Sequence, residues 1–325
     1  MRTLSTRFVR GASRPLSVLA VVAGALALPA LSQAATASAP AVTTSGASNV
    51  TFSSAILYGY VNAEGQATNY SFQYGTTSGY GAQTPLSPAG NGTITIKVSQ
   101  AVSGLQPGTL YHYRVVASSP AGTKTGSDRT FTTAKVPLTV QIAGAPNPVV
   151  FGNPFYVDGT LSGTGSASHA IVLQANPFPY LAGFKDVGNP ELTNSAGGFS
   201  FPFVGLLENA QLRVVTVGSP TVTSPVLLES VAVRVSFHAR RVRRGFVRLY
   251  GAVAPAEVGA LVGFQLLEPG QRSVNVGGTV VTAGTPTVSR FSRVVRVRHP
   301  GLYRALIKIS DGAHVSGYSA PVLVR

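Results

Sequence analysis

The 325-residue chain has no cysteine, no tryptophan and a single methionine. Without cysteine there can be no disulfide framework, thiolate metal site, iron–sulfur cluster or cysteine nucleophile. Acidic residues number 10 against 25 basic ones, and all charged residues together make up 11% of the chain, about half the usual share. The few carboxylates are scattered, and no segment supplies the facing pair a glycosidase needs or the several oxygen ligands of a calcium-stiffened junction. Asp186 and Glu191 lie close together, but they read as solvated charges of one loop. The five histidines, His112, His169, His238, His299 and His314, form no His-x-x-x-His or Glu-x-x-His pair of the zinc type. No Gly-x-Ser-x-Gly elbow occurs, and no glycine-rich phosphate loop opens a helix. Catalysis, a cofactor and a metal are therefore not expected.

Long apolar runs are missing too. The longest, residues 16–28, falls short of the ~20 residues a bilayer demands. Arg2, Arg7, Arg10 and Arg14 flank it, Pro29 ends it, and small residues continue to Ala37. Ser32-Gln33-Ala34 and Ala35-Thr36-Ala37 both fit the small-x-small cleavage rule. Residues 1–37 thus read as a secretory signal peptide, and residues 38–325 as an exported chain without a transmembrane segment. Arginine outnumbers lysine 20 to 5, a bias that suits a high-GC bacterial genome.

Beyond the leader the apolar spacing has period two, and valine, threonine, isoleucine, tyrosine and phenylalanine dominate the apolar runs. Turn signals such as Pro107-Gly108, Asn153-Pro154, Gly197-Gly198, Pro269-Gly270 and Pro300-Gly301 recur along the chain. This is the pattern of all-β sandwiches. Residues 55–61 and 69–74 read as strands, the second with Tyr70, Phe72 and Tyr74 on one face. The Pro107-Gly108 turn leads into another strand, on which Tyr111, Tyr113, Val115 and Ala117 share a face. Tyr111, just past the turn, is placed to hydrogen-bond the preceding backbone and lock a corner between two sheets.

Leu105-x-Pro-Gly-Thr-x-Tyr111-x-Tyr113-Arg-Val115 resembles the corner of a fibronectin type III domain. Phe72-x-Tyr74-Gly75-Thr76-Thr77-x-x-Tyr80-Gly81 and Gly126-x-Asp128-x-Thr130-Phe131-x-Thr133 resemble the bacterial branch of that family. The resemblance implies a seven-stranded sandwich that serves as spacer or binding module, and it implies no chemistry. The usual tryptophan of the second strand is missing, which leaves Leu57 or Tyr60 to fill its core volume.

The remainder repeats itself. Asp158-Gly159 answers to Tyr250-Gly251, Gln174 to Gln265, Phe199-Ser200 to Phe291-Ser292, Arg213 to Arg304, and Pro225-Val226-Leu227 to Pro321-Val322-Leu323. The matches come in order at offsets of 91 or 92 residues, with 96 for the last, which indicates a duplicated Ig-sized module. The expected architecture is all-β: three tandem antiparallel β-sandwiches after the signal peptide. They span 38–135 (fibronectin type III-like), 136–230 (Ig-like) and 231–325 (Ig-like and basic). Residues 227–235 form an apolar β run without glycine or proline, so one strand is expected to pass straight into the next module.

Charge separates the two repeats. Residues 38–230 hold seven basic and seven acidic side chains, whereas 231–325 hold fourteen basic and three acidic. A codon bias alone would not favour one copy over its sibling. Arg240, Arg241, Arg243 and Arg244 are placed in the turn between the first two strands of the third module. Arg296 and Arg298 lead into the Pro300-Gly301 turn, and Arg325 ends the chain; in an Ig topology all of these share one pole. The expected result is a basic cap for anionic polymer, extended by Arg304 and Lys308 onto one sheet face. Phe178, Tyr180 and Phe184 form an apolar loop that reads either as a partner-binding patch or as residues folded over the core edge.

The expected role is that of a secreted, non-catalytic cell-envelope or extracellular-matrix protein with a spacer or adhesion function. Its expected partners are an anionic envelope polymer or polysaccharide and other envelope proteins. The leader argues against intracellular nucleic acid. The alternative is a carbohydrate-binding accessory to a polysaccharide-degrading system.

Overall fold

Alternating side chains that bury one face and wet the other give strands throughout. The computed structural model describes residues 37–268, 270 and 272–325. Residues 1–36 of the expected signal peptide and Pro269 of the expected Pro269-Gly270 turn lie outside the described residues. Every regular element among the described residues is a β-strand. No helix among them is long and apolar enough to cross a membrane.

The first module packs two antiparallel sheets. One has the order β1 (Ala41–Thr44), β2 (Ser54–Asn62), β6 (Ile96–Ser103). The other is built on β3 (Thr68–Gly75) and β7 (Leu110–Ser119). Around these sit β4 (Ala82–Gln83) and β5 (Ser87–Gly90) on β3, and β8 (Gly122–Thr125) and β9 (Arg129–Thr132) on β7. Leu57, Phe72, Tyr113, Val115 and Ala117 are fully buried between the sheets. Leu57 therefore fills the volume of the missing tryptophan, while Tyr60 on the opposite pleat is 40% exposed. The Gln106 N–H donates to the Tyr111 hydroxyl at 2.9 Å, and the Tyr111 ring stacks on Phe131. This ties the turn to its own strand in the manner of a tyrosine corner.

The second module contains β10 (Thr139–Ala145), β11 (Val149–Val150), β12 (Pro154–Ser162), β13 (Ala170–Pro177), β14 (Lys185–Leu192), β15 (Gly198–Val204), β16 (Ala210–Thr216) and β17 (Leu227–Glu229). Its sheets run β10-β12-β15 and β14-β13-β16-β17. Asp186 and Glu191, expected in a loop, stand instead on the edge strand β14. An edge tolerates the Gly188 and Pro190 that disguised it, because a proline there leaves no ladder bond unmade. After β18 (Val231–Ala232), the third module repeats the plan with β19 (Arg234–Arg243), β20 (Phe246–Ala254), β21 (Leu261–Leu267), β22 (Ser273–Val280), β23 (Thr282–Thr285), β24 (Val288–Arg296), β25 (Gly301–Lys308), β26 (Gly317–Tyr318) and β27 (Val322–Val324). Its sheets run β19-β20-β24-β23 and β22-β21-β25, with β26 and β27 both on β25.

The repeat is physical as well as alphabetical. A Cβ on Gly159 would lie 2.3 Å from the Phe199 ring, and one on Gly251 would lie 2.6 Å from the Phe291 ring. In each copy the glycine lets a core phenylalanine lie across the second strand. Arg213 Nε donates to Gln174 at 2.8 Å, and Arg304 Nε donates to Gln265 at 2.9 Å. Ser224 accepts from the Val214 N–H and Ser319 from the Ala305 N–H.

Residues 227–243 run almost without interruption as β17, β18 and β19, and the joint between the two copies is buried. Val231, Ala232 and Val233 lie between 149–151 of the second module and Val315 of the third. The Val149, Phe151, Val233 and Val315 amides are all bonded across this junction. Asn209 adds bonds to Gly312, Ala313 and Val231. Glu229 ends β17 fully buried against Gly144, and neither of its carboxylate oxygens has a hydrogen-bond partner among the described residues. Burial pushes its pKa from 4.5 to about 7.

Gly251→Ala is expected to lower the urea-unfolding free energy of the third module by about 1–3 kcal/mol, because the new methyl collides with the Ser236 carbonyl and the Phe291 ring. Folded Glu229 keeps a proton that the unfolded chain releases. Stability is therefore expected to fall as pH rises from 4.5 to about 7 and to be level above that range. Glu229→Gln removes this slope, worth on the order of 3 kcal/mol at ~1.4 kcal/mol per pKa unit; urea titrations at a series of pH values measure both.

Candidate anionic-polymer surface

The inward residues of the third module dictate where its arginines stand. Phe237 on β19, Leu249 on β20 and Phe291 on β24 are buried, and Phe237 stacks with Phe264 and Phe291 at centroid distances of 6.0 and 6.5 Å. The residues between them face outward. Arg240 pairs directly with Arg248, His238 with Tyr250, Tyr250 with Ser292, and Ala252 with Arg290. Arg240, Arg248 and Arg290, with Tyr250 and Thr282, line a groove of about 460 Å³ on the outer face of the β19-β20-β24-β23 sheet.

The pole farther along β19 carries the remaining predicted arginines. Arg243 pairs with Phe246 across the turn and lies 4.2 Å over its ring. Arg296 pairs with Phe246 on the other side, and the Val297 N–H donates to the Gly245 carbonyl. Arg244 and Arg298 are thereby brought to the same end. Val324 pairs with Gly301, which places Arg325 beside the loop after Arg298. The joint with the second module lies at the opposite end of β19, where Arg234 pairs with Ala254.

The strand pleat divides the expected cap. Arg240 belongs to the outer face, whereas Arg241 opposes the buried Val247 and takes the core-side pleat at the open end of the sandwich. Charge accordingly continues from the pole along the outer sheet face, through Arg248 and Arg290, and is not confined to the tip. A second concavity, of about 570 Å³, opens between β22 and β24 and is lined by Arg293, Arg296, Arg298, His299 and Glu268. The Arg293 guanidinium donates to the Gly278 carbonyl at its rim. Beneath it the Tyr303 hydroxyl donates to the His299 carbonyl at 2.7 Å, and burial pushes its pKa up. The ion pairs among the described residues join histidine to carboxylate, so the arginines of this face are not neutralised by carboxylates.

Arg304, expected to extend the charge onto one sheet face, stands on β25 and is held by neutral partners. It is half-buried, donates to Gln265 and lies 4.2 Å over the Tyr318 ring. The same arrangement recurs as Arg213 with Gln174 and Phe184, and as Arg114 with Gln73 and Tyr80. Phe184 is thus the platform for a guanidinium. Phe178 packs edge-on to Tyr180 and faces Gly312 of the third module, whose Cβ position lies 2.9 Å from the ring. The loop therefore meets a neighbouring module of its own chain.

Arg248 and Tyr250 join the surface without any cluster of their own in the sequence. Their signal is their alternation with Val247 and Leu249, opposite the arginine cluster of the preceding strand.

The duplication supplies an internal comparison. An overlapping groove of the second module, shifted along the strands, is lined by Asp158, Glu191, Phe199 and Ser200. Asp158 and Ser200 stand where the third module has Tyr250 and Ser292, and Gly198 stands where it has Arg290. One backbone shape carries carboxylates in one copy and guanidinium groups in the other.

No protein-family model and no curated protein sequence matches the chain. Among solved structures, the chain is similar to the sensor domain of the anti-sigma factor RsgI4 in Pseudobacteroides cellulosolvens. That match has 24% identity and a TM-score of 0.25, and it covers 30% of this chain and 96% of that one. The chain is also similar to the FN1–FN3 domains of chicken CNTN1, with 11% identity, a TM-score of 0.32, and coverage of 89% and 100%. A tetra-tandem repeat in the extending region of a large adhesion protein gives 13% identity, a TM-score of 0.32, and coverage of 88% and 74%.

Like charges directly opposite on neighbouring strands repel. Arg240→Gln is therefore expected to stabilise the third module by roughly 0.2–1 kcal/mol in low salt. The gain should vanish in high salt, where the repulsion is already screened; urea unfolding at two ionic strengths measures it.

Proposed function

We propose that the chain is an exported, non-catalytic envelope or matrix protein in which tandem sandwiches act as a spacer and the third module holds an anionic surface polymer. The observation that carries this reading is the duplicated groove with opposite charge: Asp158 and Glu191 in one copy, Arg240, Arg248 and Arg290 in the other. A guanidinium offers a planar fork to phosphate, sulfate or carboxylate. A run of such groups on an exposed face attracts a polyanion through a field that salt weakens. The extended strand face and the adjoining pole suit a chain-like ligand better than a small molecule. The apolar sequence run at the amino end, read as a secretory leader, supports this reading, because an exported chain would meet the phosphate-rich, uronate or sulfated polymers of a cell envelope.

Tyr250 supports the carbohydrate-binding alternative, because a ring among guanidinium groups can also stack on a sugar face. Salt separates the two readings. The proposal expects affinity for a polyphosphate-rich wall polymer or dextran sulfate to fall at least tenfold between low and physiological ionic strength. The combined Arg240→Gln, Arg248→Gln and Arg290→Gln variant should bind at least tenfold more weakly, with a shallower salt slope. Binding to neutral glycans that survives high salt and disappears in Tyr250→Ala would establish the alternative. No binding to any polyanion at low salt would refute the proposal.

A further inference from the structure

A second concentration of chemistry lies at the other end of the third module, where it abuts the second. Glu257 sits in the loop between β20 and β21, with its backbone N–H bonded to the buried Ser289 hydroxyl. Asp311 and His314 sit in the loop after β25. His314 Nδ1 lies 3.2 Å from Glu257 Oε1 and 2.8 Å from Asp311 Oδ2. One ligand atom from each of the three side chains falls within 4.8 Å of the others.

The other ring nitrogen decides what this cluster wants. His314 Nε2 lies 2.8 Å from the Leu207 carbonyl, an acceptor supplied by the second module. A carbonyl can only accept, so the neutral ring carries its proton on Nε2 and presents a bare lone pair at Nδ1. That lone pair points at two carboxylates, which are also acceptors. Three acceptors therefore converge, and the His314 side chain among them is only 10% exposed. Such a set calls for a positive charge, which either a second ring proton on Nδ1 or a cation held between the three side chains supplies. A histidine whose second N–H is bonded to a backbone carbonyl is also the recurring arrangement of metal-bound histidine, because that bond fixes the tautomer and the ring plane.

We propose that Glu257, Asp311 and His314 Nδ1 form a divalent transition-metal site, best matched to zinc, at the joint of the second and third modules. One imidazole and two carboxylates are a donor set zinc accepts. Calcium and magnesium prefer oxygen alone. Tetrahedral ligands ~2.1 Å from a zinc ion stand roughly 3.4 Å apart, so the atoms now 2.8 and 3.2 Å from His314 Nδ1 would spread by a few tenths of an ångström to admit it. Asp311 is more than one-third exposed, which leaves an entry path and room for water as a further ligand. The ion would tie two loops together, and through Leu207 and the Asn209 bonds to Gly312 and Ala313 it would brace the second module against the third. The second module lacks the counterpart: 92 residues earlier Glu257 becomes Gly165, and 91 residues earlier Asp311 becomes Pro220 and His314 becomes Thr223. The site thus belongs to one copy alone. It does not depend on the polyanion proposal, because the basic groove and these ligands share no residue.

The test uses the untagged full chain, stripped with a chelator and titrated with zinc chloride by calorimetry at about pH 7.5, with magnesium and calcium chloride as comparisons. One saturable zinc site is expected, with a rise in thermal midpoint that a chelator reverses and with no response to magnesium. His314→Gln should abolish the site. Glu257→Gln and Asp311→Asn should each weaken it at least tenfold while leaving the circular dichroism spectrum unchanged. Asp311→Asn serves as the reference should His314→Gln fail to fold, since it leaves the His314 bond to Leu207 in place. Absence of a saturable site, or a site of equal affinity in the Glu257→Gln and Asp311→Asn variants, would overturn the proposal.

Discussion

The antiparallel register of β19, β20 and β24 governs what the third module shows to solvent. Phe237, Leu249 and Phe291 must turn inward, because with Val247, Val253 and Val295 they form that sheet's side of the core. A slip of one residue would send this apolar set into water and the arginines into the core. Fixing the core therefore fixes Arg240, Arg248 and Arg290 on the opposite side of the same strands. Gly251 is part of this constraint, for it lets Phe291 cross the second strand in contact with backbone. The basic face and the hydrophobic core are two sides of one registration, and neither can be moved without the other.

Arginine plays two roles here, and local partners separate them. Arg114, Arg213 and Arg304 each donate to a glutamine on the neighbouring strand and lie over an aromatic ring. The flat guanidinium covers apolar surface in that position, and its charge is held along the sheet. These three recur once per module and belong to the scaffold. Arg240, Arg248 and Arg290 have no such glutamine–aromatic platform and occur in one copy only. Placing Arg240 opposite Arg248 costs stability, since like charges face each other across the pair. A scaffold has no use for that cost, which is a ground on which the proposed binding role rests.

The strands were legible wherever one face was buried. Tyr111, Tyr113, Val115 and Ala117 announced their common pleat, and the 92-residue echo of Gly159 and Phe199 in Gly251 and Phe291 announced the second copy. Legibility failed on edges, where Gly188 and Pro190 look like a loop although an edge strand accommodates both. Of the basic surface, the sequence exposed the adjacent arginines but not their division. Arg240 and Arg241 are neighbours in the chain and opposite in the pleat, and Arg248 becomes relevant only once β20 is set beside β19. The Glu257, Asp311 and His314 cluster was least visible. Its members come from two loops more than fifty residues apart, and the bond that fixes the histidine tautomer comes from a different module.

The joint between the duplicated modules explains why that cluster could form. A flexible linker would leave Leu207 free to wander from His314. Here residues 231–233 are instead hydrogen-bonded on both sides, to 149–151 in one module and to Val315 in the other. Asn209 spends its side chain and its backbone N–H on the same contact. Burying the apolar run 231–233 stabilises the junction through the hydrophobic effect and leaves little backbone free to bend. The buried Glu229 opposes that gain as its proton is lost, because burial strips its charged form of water. The same joint therefore holds the two sandwiches in one relation and makes the strength of that hold depend on pH. For the role proposed above such a relation would matter, because a basic face that pivots freely would meet a fixed polymer in many orientations, and only a few of them would let every guanidinium engage.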